Sequence, residues 1–203
     1  MAAALNELGN GTITAVDLIE AKELFDPSAE EQLAKVGLSA RVEIVREQSG
    51  YNWFLHDEIR CSTRDDSCVP VYDLCIIDGP KNWTIDGAAF FFADKLLRPG
   101  GWFIFDDYGW TYASADLKRD ATDGITHRSL SEAERETPQI REVFELLVKQ
   151  HPEYGELMLL EGNDWALARK VHREQKTYTV AHQETARDVV ARAYRKLRGL
   201  LRG

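Results

Sequence analysis

The sequence predicts an α/β fold: a mostly parallel, doubly wound sheet that ends in an antiparallel hairpin. Three observations carry this. Short apolar runs at 12–16, 41–47, 71–78 and 102–107 each lead to an acid, at Asp17, Glu47, Asp78 and Asp106-Asp107. Helix-patterned segments separate them, and that alternation packs strands in parallel with helices over both faces. Last, "GELMLLEGNDWALARKV" (155–171) reads as two strands around a Gly162-Asn163-Asp164 turn, an antiparallel pair beside the parallel strands.

Taken in order, residues 1–9 form an amphipathic helix, and Asn10-Gly11 turns the chain into the first strand. Pro27-Ser28 opens the next helix and Gly37 closes it. "SGYNWFLHDEIR" (49–60) is a helix after the second strand, and "TIDGAAFFFADKLL" (84–97) is one after the third. Arg98-Pro99-Gly100-Gly101 stops that helix before the strand at 102. Residues 108–137 are polar, with scattered aromatics and no clear period, as in a lid or substrate loop. In 138–152, Ile140, Val143, Phe144, Leu147 and Val148 share one helical face. The expected organisation is one domain over 1–175 and a basic C-terminal helix over 176–203. That helix carries Arg187, Arg192, Arg195, Lys196, Arg198 and Arg202, and it is expected to pack on its own domain.

The chain has 203 residues, 44% hydrophobic and 29% charged, which suits a globular domain with a substantial core. A formal charge of −9 argues against general nucleic-acid binding, whose affinity comes from neutralising phosphates. No run of roughly 18 apolar residues is present, so no transmembrane segment is expected. Nothing at the start reads as a secretion signal, and the expected setting is cytoplasmic. Cys75 lies in an apolar strand and reads as core. Cys61 and Cys68 bracket "CSTRDDSC", which could close as a disulfide or bind a metal; without a nearby histidine pair zinc fits poorly, and reduced thiols are the expected state. A homo-oligomer is left open.

In an open α/β sheet, ligands sit outside the carboxyl ends of the strands. Those ends carry Asp17, then Glu47-Gln48-Ser49, then Asp78, then Asp106-Asp107, and Lys81 follows Asp78 in "DGPK". Three carboxylates converging from two neighbouring strands repel one another without a counter-charge. A hard divalent cation, Mg²⁺ or Ca²⁺, is the usual answer and takes oxygen ligands. The plainer alternatives are strand-end caps and solvated turn acids.

"YDLCIIDGPKNW" with "LLRPGGWFIFDDY" resembles the second half of a class I S-adenosylmethionine-dependent methyltransferase, a Rossmann-like fold. The acids and the lysine resemble the metal-dependent O-methyltransferase branch, typified by catechol methyltransferase and some antibiotic-sugar methyltransferases. The resemblance implies Mg²⁺ on Asp78, Asp106 and Asp107, and Lys81 as a base. It places Asp17 on the cofactor's ribose hydroxyls and Gln48 or Ser49 near its adenine, with Asp78 also on the cofactor side. The family's first strand and glycine-rich loop would precede residue 1. That strand is the central one, between those ending at Asp17 and Asp78, so the chain is expected to start just after the loop.

The expected activity is therefore methyl transfer from S-adenosylmethionine to a hydroxyl of a small-molecule acceptor, assisted by Mg²⁺. Trp83, Tyr108, Trp110 and Tyr112 flank the acids and are candidates to stack on the acceptor. His127 is an alternate base. Each has a plainer alternative: Ser49 as the N-cap of the 49–60 helix, Lys81 in a surface pair with Asp86, the aromatics as packing. Two rival functions differ in class. One is a catalytically incomplete domain that binds a partner; the other is a metal-dependent nucleotide-sugar-handling enzyme, which the lack of a P-loop and of a separated D-x-D motif disfavours.

Overall fold

A short helix, α1 (Ala2–Glu7), leads into β1 (Ile13–Leu18). Then come α2 (Ala21–Leu24) and α3 (Ala29–Lys35). Ser28 starts α3 with a capping box: its Oγ accepts from the Glu31 N–H, and the Glu31 carboxylate accepts from the Ser28 N–H. Next, β2 (Val42–Glu47) pairs in parallel with β1. The following helix, α4 (Tyr51–Ser62), begins after Gly50, whose φ of 94° suits glycine. Gly50, not Ser49, is thus the N-cap residue. The cysteine loop folds into a hairpin, β3 (Thr63–Arg64) and β4 (Ser67–Cys68). Asp65 and Asp66 between them are both left-handed, as tight hairpin turns require. The three cysteines are free thiols.

The apolar run "YDLCII" forms β5 (Tyr72–Ile77), and α5 (Trp83–Leu96) follows. The Asn82 side chain caps α5 by accepting from the Thr84 and Ile85 N–H groups at 3.0 and 3.2 Å. β6 (Leu97–Phe105) starts at once, so Pro99-Gly100-Gly101 lies inside a strand rather than before it. The ladder absorbs this through an irregularity between Tyr72 and Leu74. Gly101 has no room for a side chain there: a Cβ would lie 2.8 Å from the Asp73 carbonyl oxygen and 2.9 Å from that of Arg98.

The described residues between 108 and 137 carry regular elements. They include a 3-10 turn at Tyr112–Ser114, a small hairpin of β7 (Ala121–Thr122) and β8 (Ile125–Thr126), and α6 (Glu132–Glu136). The Ser131/Glu134 capping box that starts α6 is an S-x-x-E pattern set among other polar residues. After it, α7 (Gln139–Glu142) runs on into a π-helical stretch, Val143–Val148. Finally β9 (Tyr154–Leu160) and β10 (Trp165–Lys170) form the expected antiparallel pair. The computed structural model describes residues 1–114, 121–122, 125–126 and 129–171; His127 and the expected basic helix lie outside the described residues. Met1–Arg173 make one compact unit.

Hydrogen bonding divides the expected single sheet in two: β1 with β2, and β5-β6-β10-β9. Among the described residues, β1 forms a ladder on one edge only, with β2. The break falls between the strands leading to Asp17 and Asp78, where the resemblance puts its first strand. Helix α4 packs against β1, β2 and α5, which links the two ladders through side chains. The core sits between the second ladder and the helices on one face. Phe90 of α5 is fully buried against Phe103, Phe105 and Tyr154, and Phe144 meets Phe105 edge-on. Ala166 and Ala168 lie opposite Phe105 and Phe103, small beside large. Buried Lys170 ties β10 to α5 through Asp94 at 2.7 Å, which also accepts from the Tyr154 hydroxyl at 2.7 Å.

A second buried charge lies in the first turn of α5. Asp86 is fully buried; it accepts from the Tyr51 hydroxyl and, at 2.6 Å, from the Asn82 N–H. Burial pushes its carboxyl from 3.8 up to about 6, and the two donors offset that only in part. The folded protein therefore holds this proton more tightly than the unfolded chain. The resulting stabilisation is full below about pH 4 and is lost as pH rises through 6, by about 3 kcal/mol. Urea unfolding of wild type and Asp86→Asn at pH 4 and pH 7.5 should show the wild type losing ground to the variant at the higher pH. A stability gap that does not change with pH would mean that Asp86 does not titrate there.

Candidate functional site

Parallel pairing sets Ile77 of β5 beside Phe105 of β6, and the Asp106 N–H donates to the Ile77 carbonyl at 3.0 Å. The two strands thus end level, and Asp78 leaves the sheet beside Asp106 and Asp107. One carboxylate oxygen from each of the three lies within 4.8 Å of the others. Lys81 returns to the same point, with Nζ 3.1 Å from Asp78 Oδ1 and 3.2 Å from Asp107 Oδ2. The surface pair with Asp86 is not what forms, since Asp86 is buried on Tyr51 and Asn82. Lys81 and Asp107 hold left-handed backbone, φ 57° and 56°. Few non-glycine residues adopt it, and such residues cluster at functional sites.

Asp106 is held most firmly. Its Oδ1 accepts from the Asp107 N–H at 2.9 Å and from the Trp165 indole N–H at 2.7 Å. Burial raises its carboxyl above the ordinary range, and the Asp78 and Asp107 carboxylates raise it further. One ammonium against three carboxylates leaves an excess of two negative charges. Hard oxygen donors at this spacing, with that excess, fit Mg²⁺ or Ca²⁺.

The other predicted residues form a separate group at the ends of β1 and β2. Asp17 is exposed; its Oδ2 pairs with Arg46 at 3.1 Å and its Oδ1 accepts from the Leu18 N–H at 2.8 Å. Gln48 and Ser49 follow β2 and are exposed. The polar partners of Asp17 are Arg46 and Leu18, so the structure does not join it to the acidic cluster.

The four aromatics separate. Tyr112 is fully buried, and its hydroxyl donates to the Pro80 carbonyl, so it packs under the Lys81 loop and offers no stacking face. Trp110 meets the Tyr112 ring edge-on at 4.8 Å. The Tyr108 hydroxyl donates to Glu145 at 2.9 Å, and burial with that carboxylate pushes it up to about 12. Trp83 remains exposed at the rim.

Three residues at the site were not anticipated. Trp165 is exposed beside Asp106. The Asp164 carboxylate accepts from the Gly109 N–H at 2.9 Å, and its carbonyl from the Tyr108 N–H at 2.9 Å, which clamps the chain after β6. The Gln139 side-chain oxygen Oε1 accepts from the Trp83 backbone N–H at 2.7 Å. A signal existed for the first two: an antiparallel strand next to β6 must begin at the rim where β6 ends, which puts "NDW" there.

A family model described as a methyltransferase domain matches residues 1–108, more than half of the chain. No curated protein matches it. Among solved structures, an O-methyltransferase from Bacillus cereus in complex with SAH is 16% identical, with a TM-score of 0.50 over 84% of this chain and 78% of that one. TomG from Streptomyces achromogenes, an O-methyltransferase of tomaymycin synthesis in complex with SAM, is 18% identical with a TM-score of 0.47. That match covers 80% of this chain and 63% of TomG, so the chain spans less than two thirds of TomG's length. The likeness to the Bacillus cereus structure establishes the fold, and the family model establishes membership: the chain belongs to the methyltransferase-domain family.

Proposed function

We propose that the chain is an S-adenosylmethionine-dependent O-methyltransferase that acts on a hydroxyl of a small-molecule acceptor with the help of a divalent cation. Residues 1–175 form its methyltransferase domain, and its setting is cytoplasmic. The observation that carries the reading is the meeting of Asp78, Asp106, Asp107 and Lys81 at the ends of β5 and β6. Membership of the methyltransferase-domain family and the SAH complex of the Bacillus cereus neighbour support the cofactor.

When bound, S-adenosylmethionine supplies an electrophilic methyl group and the cation supplies charge that favours an ionised acceptor hydroxyl. This chain's residues supply the rest. Asp78, Asp106 and Asp107 would hold the cation, with the Trp165 and Asp107 N–H groups occupying Asp106 Oδ1 and fixing its orientation. Lys81 beside Asp78 would act as the base in its neutral form: its ammonium first gives up a proton to solvent, and the free amine then takes the acceptor's proton. Trp83 and Trp165, both exposed at the rim, offer flat apolar faces for the acceptor. On the cofactor side, Asp17 would accept from the ribose hydroxyls, its orientation set by Arg46, with Gln48 or Ser49 near the adenine.

Activity is best sought with a panel of catechols, phenols and hydroxylated sugars, with added Mg²⁺ and with excess chelator. Chelator should abolish turnover, and Asp78→Asn should lower the Mg²⁺-stimulated rate by roughly 10- to 100-fold with an unchanged circular dichroism spectrum. Undiminished turnover in chelator would remove the cation from the reading. Lys81→Met should lower kcat by about 100-fold or more while the cofactor KM holds. A rise in KM alone would make Lys81 a binding residue and not the base.

A further inference from the structure

The geometry points to Tyr51 and Asp86 as positioning residues: together they fix the 78–82 turn so that Lys81 meets Asp78 and Asp107. The inference rests on the proposed function for what that turn does, but not for how it is held. Tyr51 is the first residue of α4, immediately beyond the Gln48-Ser49-Gly50 turn of the cofactor side. Asp86 lies in the first turn of α5, beyond the turn that carries Lys81. Their hydrogen bond therefore ties the rim of the β1-β2 ladder to the rim of the β5-β6 ladder, at the point where no strand pairing joins them. A second tie runs parallel to it, from Asn52 Nδ2 to the Ile85 carbonyl at 3.1 Å.

The pair touches the turn at both ends. Asp86 Oδ2 accepts from the Asn82 N–H at 2.6 Å, next to Lys81. At the other end, Gly79 lies flat against Asp86 Oδ1 and the Tyr51 hydroxyl; a Cβ at 79 would run into both. Tyr112 closes the turn from its other side through the Pro80 carbonyl. Between these fixed points Lys81 sits in left-handed backbone, a conformation that persists only where its surroundings enforce it. Burial also pushes the Tyr51 hydroxyl well above its ordinary value, so it remains a donor at any working pH. Neither side chain is placed to touch a substrate; both act through the backbone of the turn.

Tyr51→Phe removes one donor and keeps the ring, and it can be compared with wild type on the full chain in three ways. Exchange of the Asn82 amide, followed by NMR, should speed up about five- to tenfold, while the Phe103 amide in the core keeps its rate. Acetylation of Lys81 by acetic anhydride, read by mass spectrometry, should rise by a similar factor. With an acceptor that the wild type methylates, kcat should fall and the cofactor KM should hold. Faster exchange at Asn82 and Phe103 alike would mean a general loss of stability and would overturn the inference; so would an unchanged Asn82 rate. If exchange and acetylation change as expected but the wild type methylates nothing on the panel, the methyltransferase reading fails and the positioning role stands.

Discussion

The parallel register of β5 and β6 is the constraint on which the candidate site depends. With Ile77 opposite Phe105, each strand delivers its first acid at the same height, and the antiparallel β10 brings Trp165 to that level from the other side. Strand pairing allows no small adjustment. A one-residue slip would turn Phe103 and Phe105 away from Phe90 and expose the largest side chains of the core. The packing that stabilises the ladder and the geometry that gathers the acids are thus enforced by the same contacts. That is why residues as costly to crowd as Asp78, Asp106 and Asp107 can be held together before any cation compensates them.

Lys81 gives the site two electrostatic states. As found, its ammonium lies between Asp78 and Asp107 and takes the place of a counter-ion. A divalent cation would compete for the same two carboxylates and would release the lysine from them. Asp106, locked by two N–H donors, is the carboxylate least free to move. Occupancy of the proposed cation site would therefore be coupled to the freedom of the proposed base.

Much of this was legible because the chemistry lay in consecutive residues. An apolar run ending in an acid identifies a strand and its carboxyl end together, which is how Asp17, Asp78, Asp106 and Asp107 become candidates. "LLRPGG" was harder: proline and two glycines argue for a connection, yet the close approach of Asp73 and the irregular ladder let them lie within β6. Tyr112 reads from the sequence as a stacking candidate or a packing residue, and the choice is not local, because the carbonyl that its hydroxyl satisfies is 32 residues away in sequence. Asp86 was visible only as a charge near Lys81; its burial depends on α4 packing against α5, a contact with no local signature. The gap between the two ladders lies where the resemblance puts its first strand; the strands' own patterns do not show it, because pairing is a property of neighbours.

Gly79 shows how such a turn constrains change in the sequence itself. The space that a side chain there would need is filled by two oxygens, one on each of two different helices. Replacing the glycine alone collides with them, and removing either oxygen alone leaves a buried polar group without its partner. The three positions are therefore locked as a set. Stepwise substitution passes through a damaged intermediate whichever residue goes first, and a working alternative is reached only when several of them change together.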